Sequence, residues 1–129
     1  MSKKIIYNSM DFKLAGPYSP AVEANGFVFI SGQIPINLDS GEIVLSDMQS
    51  QTRLVLDNMK VTLNLAGCSM DDVVKTTIYI TDMCKFGEVN EVYKEYFPRN
   101  PPARSTVGVA NLPKGIGVEI EAIAVKRSD

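Results

Sequence analysis

The sequence predicts one α+β domain over residues 1–129, a mixed β-sheet with two helices packed on one face. Three observations carry this. Strand-like and helix-like segments follow in the order β-β-α-β-α-β-β along 129 residues, a pattern that segregates helices to one side of a sheet. The helical segments repeat their apolar residues at steps of three and four, while the last strand alternates with period two. The length suits one core and is short for two, and no repeat, low-complexity tract or linker divides it.

Each element has its own signal. Asn25-Gly26, between Ala21–Ala24 and residues 27–30, is a two-residue hairpin signal. The second strand ends at Ser31-Gly32-Gln33-Ile34-Pro35, and residues 37–41 supply loop chemistry. Ser46 with Gln49 reads as a capping box. Met48, Thr52, Val55, Met59, Leu63 and Ala66 then form one helical stripe, closed by Gly67 at the C′ position. Val73–Ile80 is rich in β-branched residues and reads as a strand. Asp82 is placed to cap a second helix with the stripe Phe86, Val89, Tyr93 and Phe97, ended by Pro98. Residues 98–102 are Pro-rich and lead into a strand over 103–110; a turn at 112–115 precedes the last strand, Val118–Val125.

Two helices cover only one face of a sheet this wide. In the last strand Val118, Ile120, Ala122 and Ala124 point one way, toward the helices. Glu119, Glu121, Ile123 and Val125 point the other way and make a half-apolar face with no helix left to cover it. Such a face points to self-association, the alternative being a partly solvated sheet surface.

Composition narrows the chemistry. The chain has no histidine and no tryptophan, which excludes Ser-His-Asp and Cys-His nucleophilic catalysis, histidine-based metal sites and imidazole acid–base work. Any catalysis must use carboxylates, arginine, lysine, hydroxyls, backbone groups and water. Apolar residues make up 45% and charged residues 22%, and no run approaches the ~20 apolar residues of a membrane-spanning helix. Residues 1–8 carry positive charge without a sustained apolar stretch, so no secretory signal is read and a cytoplasmic location is expected. Thirteen basic residues against fifteen acidic ones, net −2, without a basic cluster inside the chain, are a poor footprint for a nucleic-acid binder. Cys68 and Cys84 are too few for a zinc site and read as two small buried residues; a reactive thiolate at Cys84, near a helix start, is the alternative.

Period two also sorts the polar strand residues. Arg104 and Thr106 share one face of their strand, and Glu119 and Glu121 share one face of theirs; a hairpin between these strands would bring arginine and glutamate together on the uncovered face. Arg104 is either a salt-bridge partner or an anion receptor, its planar fork suiting a carboxylate. Glu119 either orients water or is a paired surface residue. Ser31 shares a face with Gln33 beside Gly32, where backbone can approach a ligand closely. Tyr18, in the loop Gly16-Pro17-Tyr18-Ser19-Pro20, either closes over a site or packs on a neighbour.

These stretches carry a family resemblance. Gly16-Pro17-Tyr18-Ser19, Ile30-Ser31-Gly32-Gln33-Ile34-Pro35, Val89-Asn90-Glu91-Val92-Tyr93, Pro102-Ala103-Arg104-Ser105, and Leu112-Pro113-Lys114 followed by Val118-Glu119-Ile120-Glu121-Ala122 resemble, in order and spacing, the Rid (YjgF/RidA) reactive-intermediate deaminases. The likeness spans nearly the whole chain and is to the RidA subfamily in particular, through Arg104. It implies a chorismate-mutase-like fold, a homotrimer with clefts between subunits, and hydrolysis of 2-iminobutanoate or 2-iminopropanoate, and of their enamine tautomers, to 2-keto acids and ammonia without metal or cofactor. Such imines arise from pyridoxal-phosphate enzymes. By the same resemblance Arg104 holds the substrate carboxylate, Glu119 positions the attacking water, Tyr18 closes the cleft, and Ser31 and Gly32 line it. Many relatives carry cysteine where this chain has Thr106, so position 106 is read as a wall and backbone contact to the substrate. Two other readings stand beside this one: a non-catalytic regulatory trimer binding 2-keto acids in the same cleft, and an endoribonuclease or translation inhibitor, which the acidic balance and absent histidine disfavour.

Overall fold

Six strands form one sheet in the computed structural model of the chain, which describes residues 2–6 and 16–127. The strands are β1 Lys4–Ile6, β2 Ala21–Ala24, β3 Phe27–Gln33, β4 Val73–Ile80, β5 Ala103–Gly108 and β6 Val118–Val125; the helices are α1 Met48–Leu65 and α2 Phe86–Tyr96. Met1, Tyr7 and Asn8 of the N-terminal stretch lie outside the described residues.

The β2–β3 hairpin forms where the sequence places it. Asn25 and Gly26 take φ of 56° and 83°, the left-handed values a twist-compatible two-residue turn demands at both positions. Helix α1 buries its stripe as expected, Val55, Met59 and Leu63 completely, and ends with Gly67 at φ 81°. Its start differs from the expected capping box: Asp47 is the N-cap, and its carboxylate accepts from the Ser50 backbone N–H at 3.1 Å. An aspartate one position nearer the helix moves the cap by one residue, so the orphan N–H it satisfies is that of Ser50 and not that of Gln49, which Ser46 was expected to reach.

Strand order is β1-β2-β3-β6-β4-β5, so the condition of a β5–β6 hairpin, on which a meeting of Arg104 and Glu119 depended, is not met. Strand β4 lies between them, antiparallel to β6 and parallel to β5. The cause is the connection through α2: a β-α-β crossover lays its second strand parallel to the first. Strand β1, too short to show a period, adds an outer strand on β2.

Both helices lie on one face. Val118, Ile120, Ala122 and Ala124 of β6 and Ile78 and Ile80 of β4 are buried beneath them with Leu56, Met59, Val89 and Val92; each of these side chains other than the two alanines contributes about 1.5–3 kcal/mol on leaving water. The opposite face is uncovered. Phe27, Phe29 and Val125 remain 39–45% exposed there, the two phenylalanine rings 6.1 Å apart. Among the described residues no helix is long and apolar enough to cross a membrane. Cys68 is buried, but Cys84 is exposed, contrary to its reading as a core residue: it sits in the 3-10 turn Met83–Lys85, ahead of the part of the helix that packs.

Candidate functional site

Arg104 stands on β5, the edge strand, in register with the buried Thr76 of β4. Its side chain therefore leaves the sheet on the helix side. There Nη1 donates to Asn90 Oδ1 at 2.8 Å, and the guanidinium carbon lies 4.9 Å from the Tyr93 ring centre and 5.3 Å from that of Phe86. Phe86, Asn90 and Tyr93 are spaced four and three apart on α2 and so share one helical face. Tyr93 is itself fixed by a 2.6 Å hydrogen bond with the Thr76 hydroxyl, and burial pushes its phenol above the usual range, so the ring presents a neutral face. Among the described residues no carboxylate comes within ion-pair distance of Arg104. The salt-bridge alternative is not what the fold builds. The cation is oriented by an amide and two rings, each ring contact worth about 0.5–1 kcal/mol. Thr106, half-buried, follows two residues along the same face, in register with Ile78.

Glu119 occupies the other face. It pairs with Tyr79 of β4 and is half-buried. Burial, and then the neighbouring Glu121 carboxylate, push its carboxyl above the ordinary range. Its position depends on a missing side chain. The β3–β6 ladder shifts register between Ile30 and Gln33, and at Gly32 the Glu119 carboxylate fills the space a Cβ would take, its Cδ only 2.7 Å from that point. Next door, Ser31 Oγ donates to the Ser19 carbonyl at 2.6 Å and the Ser31 N–H to the Pro20 carbonyl at 3.0 Å. These bonds tie the Tyr18 loop to the end of β3. Tyr18 is 53% exposed, on a turn where Gly16 takes φ 101°.

The six residues thus fall into two groups. Tyr18, Ser31, Gly32 and Glu119 gather around the β3–β6 junction; Arg104 and Thr106 lie two strands away on the opposite face. The expected meeting of arginine and glutamate on the uncovered face does not occur within one chain, because β4 separates their strands and the register turns Arg104 to the helices. A shallow cleft of about 550 Å³ beside Arg53, Asp57 and Tyr96, and another of about 410 Å³ beside Arg99 and Arg127, are lined by none of the six.

Comparison with known proteins decides the family. The model described as endoribonuclease L-PSP matches residues 9–126. The chain belongs to that family. A RutC family protein of Pyrococcus horikoshii is 51% identical over 124 residues, covering 96% of this chain and 98% of the relative. A protein of Escherichia coli named putative reactive intermediate deaminase TdcF is 46% identical over 127 residues, covering 96% and 98%; its crystal structure with bound serine superposes with a TM-score of 0.89 at 45% identity, covering 96% and 99%. The structure of a putative endoribonuclease of Thermotoga maritima gives 0.91 at 46% identity over 97% and 98%. The L-PSP family membership agrees with the resemblance to Rid proteins, and a solved relative from Yersinia pestis is described as one of the conserved Rid family. The two helices on a mixed six-stranded sheet are the fold of these structures.

Sequence reasoning missed the seat of Arg104. The core stripe holds for Val89, Tyr93 and Phe97, which are buried as expected, but Phe86 and Tyr93 also seat the guanidinium, and Asn90 had no role. The signal lay in the stripe itself: an asparagine one turn from two aromatics on one face is out of place against an apolar core.

Proposed function

We propose that this L-PSP family protein is a 2-iminobutanoate/2-iminopropanoate deaminase, an enzyme that hydrolyses the C=N bond of reactive imines and their enamine tautomers. The observation that carries the reading is the charge of Arg104, oriented by neutral partners alone. The guanidinium fork takes the substrate carboxylate in two hydrogen bonds, with the Thr106 backbone beside it. The protonated imine carbon is already electrophilic, so positioning a water is most of the task. Glu119 accepts a proton as water oxygen bonds to that carbon and the C=N pair passes to nitrogen. The carbinolamine then collapses: Glu119 gives its proton to the nitrogen, the C–N bond breaks, and the hydroxyl proton passes to the freed Glu119 carboxylate as the C–O bond becomes the keto group, then on to bulk water, which restores the carboxylate. Ammonia and a 2-keto acid leave. Tyr18 closes the cleft, with Ser31 and Gly32 as its wall. No metal or cofactor is needed.

The opposed placement of Arg104 and Glu119 makes the reading an intersubunit one. Arg104 stands on an edge strand, and the apolar half of the uncovered face offers the contact. A cyclic homotrimer would set the arginine edge of one chain against the glutamate junction of the next. We place this assembly in the cytoplasm, without nucleic-acid or membrane partners. The test is keto-acid release from freshly generated imine in a dehydratase-coupled assay. Wild type should accelerate release and Arg104→Ala should not, with the assembly intact by solution mass; an Arg104→Ala protein as active as wild type would overturn the assignment. The serine held by the Escherichia coli relative favours a second reading, a regulatory trimer that binds such ligands without turnover. Calorimetric binding of a 2-keto acid with no imine hydrolysis would select it.

A further inference from the structure

One polar contact near Glu119 has no part in the reaction as written. Glu119 and Glu121 are two residues apart on β6, so both carboxylates project from the same face. Tyr79 of β4 stands opposite Glu119 in the ladder, yet its hydroxyl reaches past that partner and donates to Glu121 Oε1 at 3.2 Å. The phenol thereby holds the second carboxylate on the side of the first. β3 approaches Glu119 at Gly32, and its residues Phe27–Gln33 carry no charge. From β4 the facing groups are Tyr79 and, two pairs further along, Lys75, whose Nζ is turned to Ser105 Oγ at 2.9 Å on the far side. Among the described residues, Glu121 is therefore the charge that bears on Glu119 within the chain.

We propose that Tyr79 and Glu121 act as a positioning pair for Glu119, the Tyr79 hydrogen bond keeping the Glu121 charge turned toward Glu119 so that this carboxylate is a stronger acceptor for the proton of the attacking water. This rests on the deaminase reading for its consequence in turnover, but not for the electrostatic coupling itself. Burial of Glu119 and the proximity of Glu121 act in the same direction, both favouring its protonated form. A base tuned upward takes a proton more readily, at the expense of activity in acid, where it is already protonated.

The experiment uses the assembled protein and the variants Glu121→Gln, Tyr79→Phe and the double variant. The Glu119 carboxyl is titrated by carbon NMR, and kcat is followed against pH. In Glu121→Gln the Glu119 titration and the acid limb of kcat should both move to lower pH, with kcat on the plateau falling about threefold to tenfold. Tyr79→Phe should move them the same way by less, and the double variant should match Glu121→Gln, because the phenol acts only through that carboxylate. An unmoved titration in Glu121→Gln, or additive shifts in the double variant, would overturn the proposal. The two readings separate cleanly: inactive wild-type protein with a shifted Glu119 titration defeats the deaminase reading and leaves the coupling standing.

Discussion

The two halves of the candidate site are built by opposite means. At the β5 edge, Arg104 is held by added partners, an amide and two aromatic rings presented by successive turns of α2. At the β3–β6 junction, Glu119 is held by a subtraction: it lies where Gly32 has no side chain. A cation needs orientation without neutralisation, which rings and amides supply. A basic carboxylate needs shelter from water, which close backbone approach supplies. Removing a partner should therefore weaken binding, and adding an atom should weaken chemistry.

Arg104→Ala is the widest break, removing the cation around which its half is built. We expect kcat/KM to fall by about 100-fold or more in the coupled imine assay, while thermal stability stays near wild type because Arg104 is exposed. Gly32→Ala breaks the other half. The new Cβ meets the end of a flexible side chain, so the chain folds and Glu119 is displaced. The expected reading is a fall in kcat of about tenfold with KM nearly unchanged; a raised KM and normal kcat would contradict the division of labour.

Asn90→Ala sharpens the comparison. The ring contacts remain and only the hydrogen bond is lost, so KM should rise roughly threefold to tenfold with kcat largely kept. The smallest effect concerns stability. A carboxyl raised in the folded state stabilises the fold while it is protonated, and that contribution is lost as pH rises from the ordinary carboxylate range through its raised value. Glu119→Gln should therefore abolish turnover yet raise Tm at neutral pH by about 1–2 °C. The gain should vanish on acidification, as calorimetry at two pH values will show.

Local order was legible wherever one segment carries its own signal. The Asn25-Gly26 turn, the α1 stripe and the alternation of Val118–Val125 all stand in the structure as the sequence implies. What was not legible depends on pairs of distant segments. Nothing in Ala103–Gly108 says that it pairs with β4 rather than β6; the crossover through α2 decides this, and with it the face Arg104 takes. The nearness of Gly32 to Glu119 likewise follows from a register shift between strands, which no periodicity records. The candidate residues were legible by type and motif, and their separation into two half-sites was not.

That separation is the central claim, and mixing chains tests it most directly. Arg104→Ala and Glu119→Gln proteins, each inactive alone, are unfolded together, refolded as mixed assemblies and assayed for imine hydrolysis. If the site forms between chains, an interface pairing the Glu119→Gln chain's arginine with the Arg104→Ala chain's glutamate is intact. Random assembly of equal amounts should then restore roughly a quarter of wild-type activity. Mixed assemblies as inactive as their parents would place both residues in one chain's site and contradict the account.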